Sequence, residues 1–268
     1  MPSVMQESQT PAERCEYKYR IPPALEPSIR ASVAKYCASD PASADGPYLV
    51  SSLYFDSPHR VLYQQSRQRR AQRLKLRVRR YRSGPLFIET KRRDKAIIVK
   101  NRVAIEPRYW PDLLFDARRV GDCRLSVAAT QKLQAFLDWS LRLQAEPAAV
   151  VRYLREAYVS RVDYYARVTF DHHLEALRAT GYEVPITDRA AWIPFDDPAQ
   201  LGLAVSGTIL ELKCARAVPL WMTDLVGRFN LQPLGFSKYA AALDTVTHFP
   251  RGLTYRREPA RWVLGRRW

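Results

Sequence analysis

The stretch Arg73-Leu74-Lys75-Leu76-Arg77-Val78-Arg79 decides how this chain is read. Side chains alternate faces along a strand, so Arg73, Lys75, Arg77 and Arg79 point one way and Leu74, Leu76 and Val78 the other. Like charges on one strand face repel. A row of four cations with no interleaved acid is costly unless an anion meets it.

Outward from that row the same alternation recurs. Arg14 to Arg20 places Arg14, Glu16, Lys18 and Arg20 together, and Pro22-Pro23 ends it. Tyr48 to Phe55 is a strand stopped by Asp56-Ser57-Pro58. Leu86 to Arg92 aligns Glu89 with Lys91. It forms a hairpin with Ala96 to Glu106, where Ile97, Val99, Val103 and Ile105 oppose Lys100, Arg102 and Glu106. Later come Val151 to Arg155 (Tyr153 with Arg155), Arg161 to Asp171 (Arg161, Asp163, Arg167 and Asp171) and Ile209 to Lys213 (Glu211 with Lys213). Helical spacing appears over Ala24 to Cys37, Pro111 to Arg142 with a break near Gly121, Val218 to Phe229, and a short segment ending at His248.

Composition bounds the rest. The chain has 268 residues, 47% of them hydrophobic, and a formal net charge of +16. That is a globular chain with a strong bias toward anionic partners. Met1 to Ala12 lacks the apolar run of a signal peptide, and no segment has the composition of a membrane span. Cys15, Cys37, Cys123 and Cys214 show no metal-ligand spacing and are expected to be reduced, as in a cytoplasmic protein.

Antiparallel strands with one charged face can close on themselves and so remove their edges. Helices between them need apolar surface to pack on, so they should cover the outside and leave the charged rows within. The expected fold is α+β: a closed antiparallel eight-stranded β-barrel with a polar, basic lumen and flanking helices. The expected organisation is a disordered segment over 1–12, one tunnel domain over 13–248 and a basic tail over 249–268.

The ordered motifs R-x-E-x-K-Y (from Arg14), S-L-Y-F-D-S-P (from Ser52), K-L-R-V-R-R-Y (from Lys75), E-T-K (from Glu89), K-N-R (from Lys100), V-R-Y-L-R-E-A-Y (from Val151), R-V-T-F-D (from Arg167), L-E-L-K (from Leu210) and F-S-K-Y (from Phe236) resemble the VTC domain. This polyphosphate polymerase domain belongs to the triphosphate tunnel metalloenzyme, or CYTH-like, superfamily. The likeness runs from about Glu13 to Leu243.

The resemblance implies a metal-dependent transferase that moves the γ-phosphate of ATP onto polyphosphate inside the tunnel, with Mn²⁺ or Mg²⁺ as cofactor. Lys18, Arg77, Arg79, Lys91, Arg155 and Arg167 take catalytic roles. Lys75, Lys100, Arg102, Tyr153, Ser237 and Lys238 bind phosphate, and Glu211, with Glu16 and Glu89, holds the metal. Two positions depart from the pattern. Arg14 replaces the first Glu of E-x-E-x-K, and Gly235 stands where the family's polymerases tend to carry Lys.

Each residue also has a plainer reading. Arg77 and Arg79 suit a solvated strand face, Glu211-x-Lys213 and Glu89-x-Lys91 suit neutralising pairs, and Tyr153 suits packing. Ser237-Lys238 suits a helix cap followed by a surface lysine. His172-His173 reads as structural. The functional alternatives are an inorganic triphosphatase using the same residues and a polyphosphate-binding subunit without turnover. General nucleic-acid binding ranks last, because the aromatics fall largely on apolar faces or in helices, and no specific nucleic acid is expected as a partner. The tail suggests contact with a membrane or membrane protein, peripheral to the inner membrane. Crowded cations in an empty lumen should also lower the pKa values of their lysines.

Overall fold

The structure, a computed structural model, describes residues 14–248 apart from 83, 96, 164, 187–190, 197–206 and 216. The expected N-terminal segment 1–12 and the basic tail 249–268 lie outside the described residues. The strands are β1 (Arg14–Ile21), β2 (Cys37–Ser39), β3 (Tyr48–Asp56), β4 (Gln72–Tyr81), β5 (Leu86–Asp94), β6 (Ile97–Ile105), β7 (Glu146–Ser160), β8 (Ala166–Arg178), β9 (Ile193–Pro194) and β10 (Thr208–Ala215). They form one antiparallel sheet in the order β1-β10-β8-β7-β3-β4-β5-β6, with β2 joined to β7 and β9 to β8.

That sheet curls strongly. β1 and β5 stand six steps apart in the order, roughly 29 Å in a flat sheet at about 4.8 Å per step. Yet Lys91 on β5 lies 3.1 Å from Glu16 on β1. Closure, however, is not achieved. Among the described residues, no backbone pairing joins β1 to β6. The expected closed barrel is therefore corrected to an open half-barrel with eight strands on its main path. Alternation fixes which face is charged. The degree of curl depends instead on twist and on register shifts, here at Tyr54/Phe55 and Arg152/Leu154, which alternation does not encode.

The convex face is apolar and carries helices. Ile29 and Val33 of α1 (Glu26–Ala34) and Trp221, Met222 and Leu225 of α4 (Leu220–Arg228) are buried with Tyr19, Val168, Phe170, Leu212 and Cys214. Leu133, Phe136 and Leu137 of α3 (Val127–Arg142) share a second cluster with Leu76, Val78, Ile88, Val103 and Ile105. Each such fully buried side chain contributes about 1.5–3 kcal/mol. All four cysteines are free, with Cys37 and Cys214 buried.

Two arrangements differ from expectation. α5 (Lys238–His248) does not lie outside: its Lys238 meets Asp171 and Glu211, and its Tyr239 stacks on Tyr54, all on the charged face. This explains why Val50 to Asp56 is buried throughout, since β3 is covered on both sides. At the tip of the β5–β6 hairpin, Ile97, Ile98 and Val99 are exposed rather than core, because the edge strand runs beyond its helix cover. The remaining helix, α2 (Val61–Arg67), is capped from the D-S-P turn. Asp56 accepts from the amides of Leu62 and Tyr63, and Ser57 from that of Val61.

A candidate anion-binding groove

Register carries one row of residues across the whole sheet. Lys18 faces Glu211, Glu211 faces Thr169, and Asp171 faces Arg155. Arg155 faces Tyr48, two positions along from the Val50–Tyr153 pair. Tyr54 then faces Arg77, Arg77 faces Glu89, and Glu89 faces Arg102. Lys75 faces Lys91, which faces Lys100. Opposed residues share a face, so every strand residue given a role above lies on the concave side. Ser237 and Lys238 join them from the start of α5.

Four carboxylates organise these cations. Glu211, buried, lies within 4 Å of Lys213, Lys238, Lys18 and Arg155. Asp171, fully buried, takes both guanidinium donors of Arg155 at 2.6 and 2.7 Å and sits 2.5 Å from Lys238. Glu89 draws Arg77, Arg79, Lys100 and Arg102, the closest being Arg77 at 2.5 Å. Glu16 bridges Lys18 and Lys91 at 3.2 and 3.1 Å. Burial alone would raise these carboxyl pKa values, but the surrounding cations hold Glu16, Glu89 and Glu211 well below the usual carboxylate range.

The lysines divide accordingly. Lys18 and Lys238 are raised despite burial, because carboxylates touch them. Burial, then Lys18, Lys91 and Arg77, push Lys75 well below the ordinary lysine range. Burial and the neighbouring arginines bring Lys100 down to about 8 against the pull of Glu89. So the expected depression holds at Lys75 and Lys100 and reverses at Lys18 and Lys238, where the pull of the carboxylates outweighs burial. The groove's field also shows at Tyr81: burial would raise its phenol, yet Arg79 and Arg102 hold it at about 8.

Lys75, half-buried, has no carboxylate in ion-pair range among the described residues; its ammonium donates to the Ser237 hydroxyl at 3.2 Å. Ser237 also caps α5, accepting from the Ala240 amide at 3.4 Å. Lys238 is buried, not a surface lysine. Tyr153 lies under both Arg155 and Lys238, which sit 5.2 and 4.9 Å from its ring centre. Arg167 shares the face but is exposed at the far end of β8, away from the carboxylate cluster. Gly235 leaves room for the Arg69 guanidinium, which donates to its carbonyl at 3.3 Å.

Several groove residues were not singled out by sequence. Asp171 appeared only as one member of a row. Ser52 accepts from Arg79 at 3.0 Å and Tyr54 from Arg77 at 3.1 Å. Both follow from strand parity on β3, but neutral side chains in a largely apolar run give no charge signal. Arg69 had no signal at all, since it follows a short helix that periodicity did not show.

Divalent metal fits part of this donor set. Glu16 and Glu211 lie on adjacent strands with Lys18 within 3.2 and 3.4 Å of them. Two carboxylates joined by phosphate oxygens and water suit Mg²⁺ or Mn²⁺. Among the described residues, no three His, Cys, Asp or Glu side chains cluster as a complete site, so protein groups alone would not complete the coordination. Glu89 stands apart, ringed by its four cations.

Fold and site together define an open half-barrel with a cation-lined concave face. The chain belongs to the VTC domain family, whose profile matches residues 13–247. Tunnel-fold members of that family carry out phosphoryl transfer or hydrolysis. No curated protein matches the chain in sequence. Among solved structures it is similar to a proposed adenylyl cyclase of Hippeastrum with a dominant triphosphatase activity. That likeness has 14% identity, covers 85% of this chain and 94% of the other, and has a TM-score of 0.47. A proposed adenylate cyclase of Vibrio parahaemolyticus gives 13% identity, 85% and 96% coverage, and a TM-score of 0.42. The PH1819 protein of Pyrococcus horikoshii gives 11% identity, 86% and 98% coverage, and a TM-score of 0.44. Among the described residues, no helix is long and apolar enough to cross a membrane.

Proposed function

We propose that the groove binds the triphosphate of ATP and transfers its γ-phosphoryl group to the end of a polyphosphate chain. The observation that carries this reading is the shared concave face. Guanidinium and ammonium groups from β1, β4, β5, β6, β7 and α5 converge there around a few carboxylates, while Lys75 keeps no acid of its own.

In the reaction, a terminal oxygen of the acceptor chain forms a bond to the γ-phosphorus. The bond from that phosphorus to the β,γ-bridging oxygen breaks, and ADP leaves with the electron pair. Arg77, Arg79 and Arg155 present forked donors to phosphate oxygens. Lys18, Lys91 and Lys238 add point charge as the leaving group becomes more negative. Lys75, Lys100, Arg102, Tyr153 and Ser237 orient the flanking phosphates, and Arg167 guides charge at the far rim. Glu211 and Glu16 would hold Mg²⁺ or Mn²⁺, which when bound neutralises phosphate charge and aligns the donor for in-line attack. Glu89 fixes Arg77, Arg79 and Arg102 in place.

A triphosphatase would use the same grip with water as acceptor, so product analysis separates the readings. Incubation with ATP and Mn²⁺ should yield chains longer than the donor triphosphate, resolved by gel. Orthophosphate alone would assign a triphosphatase, and binding without turnover would assign a polyphosphate-binding subunit.

A further inference from the structure

Cys15 and Cys214 stand directly opposite each other on β1 and β10. Opposed residues share a face. Here it is the convex one, where Cys214 is buried and Cys15, half-buried, packs against the same apolar cluster. Both thiols are free. They lie across the sheet from the groove, and the proposed reaction does not use them.

The backbone fixes how close they come. The Lys18 carbonyl accepts from the Leu234 amide, so Lys18 turns its peptide groups away from β10. The Ala215 amide donates to the Tyr165 carbonyl, so Ala215 turns away from β1. Parity from either strand makes Cys15 and Cys214 a hydrogen-bonded pair, with Cα atoms about 5.5 Å apart. That lies within the roughly 4.4–6.8 Å that a disulfide spans. The Cβ atoms of such a pair, at about 5.5 Å, stand roughly 1 Å wider than in a relaxed disulfide.

The start of β1 has the freedom to close that gap. Among the described residues, the outer edge of β1 meets other backbone only at Lys18 and Tyr19, through Leu234 and Pro233. Arg14 to Tyr17 is thus paired on one side, and such an edge opens locally before the sheet does. Neither other cysteine competes. Cys37 on β2 is three strand steps from Cys214, roughly 14 Å at about 4.8 Å per step. Cys123 packs against the other apolar cluster.

We propose that Cys15 and Cys214 are a modification site, which hydrogen peroxide closes into a disulfide that staples the start of β1 to β10. The more accessible Cys15 sulfur attacks a peroxide oxygen, the O–O bond breaks and water leaves, giving the sulfenic acid. The Cys214 sulfur then attacks the Cys15 sulfur, the S–O bond breaks and a second water leaves. The two thiols lose two electrons, and the peroxide is reduced to water. Because β1 must draw inward, the bond is strained, and strained disulfides are readily reduced by thiols. The staple is therefore reversible. The inference does not rest on the function proposed above.

The test treats the whole protein with hydrogen peroxide, caps the remaining thiols with a maleimide and maps unreduced peptides by mass spectrometry. Two of the four thiols should disappear. One peptide pair should link Cys15 to Cys214, and dithiothreitol should restore both thiols. Hydrogen exchange at the Glu16 and Tyr17 amides should slow on oxidation and recover on reduction. Cys214→Ala should stop Cys15 at the sulfenic acid, which dimedone captures, and Cys15→Ser should leave the Cys214 thiol intact. The inference is overturned if peroxide takes Cys15 of the parent to sulfinic acid without a link, or if Cys15 links to Cys123 or to a second copy. It is also overturned if the link forms equally well in urea, or if exchange in β1 is unchanged once it has formed.

Discussion

At the scale of single residues, Glu211 and Glu89 each gather four cations, and Glu211 is the one that also neighbours a second carboxylate. It offsets Lys213, Lys238, Lys18 and Arg155 while standing beside Glu16. Glu211→Gln keeps the shape and removes one negative charge from that cluster. Turnover should fall by roughly 10²–10³, measured at limiting Mn²⁺. Triphosphate binding should tighten, because four cations lose part of their internal partner, and calorimetry reads that directly. Unchanged turnover would reduce Glu211 to a neutralising partner of the lysines. Much of this site was legible from parity alone. In Arg73 to Arg79 every second side chain is charged, so face follows from position. What parity could not supply was pairing. Lys75 and Lys238 look alike in sequence, yet one lacks a carboxylate and the other sits between two.

The element scale shows where sequence patterns stop being informative. β7 runs over Glu146–Ser160, while alternation marked only Val151 to Arg155. Ala148 to Val151 is apolar on both faces because α5 covers the inner side, so the period of two disappears. β8 starts at Ala166 rather than Arg161, since the Ser160 hydroxyl accepts from the Val162 and Asp163 amides and turns the chain. α2 was missed because its cap lies six residues upstream. Asp56 is fully buried, accepting from the Ser57, Leu62 and Tyr63 amides and from the Tyr239 hydroxyl. Asp56→Ala would strand those donors and loosen α2 and α5 together. The expected cost is about 3 kcal/mol, read as a lower urea midpoint, with Asp56→Asn losing less.

Across the whole molecule, the depressed lysines link proton binding to folding and to ligand. Lys100 falls from 10.5 to about 8 in the fold, and Lys75 shifts the same way. The unfolded chain therefore binds more protons between those values, and stability of the empty protein should rise with pH from about 8 toward 10.5. The repulsion is fully present below about 8, where an anion relieves it. Saturating triphosphate should thus raise the melting temperature more at pH 7 than at pH 10. At 100 times the dissociation constant the gain is about 2.7 kcal/mol. A shift that does not depend on pH, with sulfate excluded, would remove the lysines from the site.

Among the described residues β1 and β6 do not pair with each other, and that has a topological consequence. A complete ring can be entered by a polymer only from an end, whereas a C-shaped clip can be loaded from the side. Here the clip is spanned by the Lys91–Glu16 bridge, partly exposed and therefore weakened by salt. A molecule without ends, such as a cyclic phosphate, is barred by a ring and admitted by such a clip.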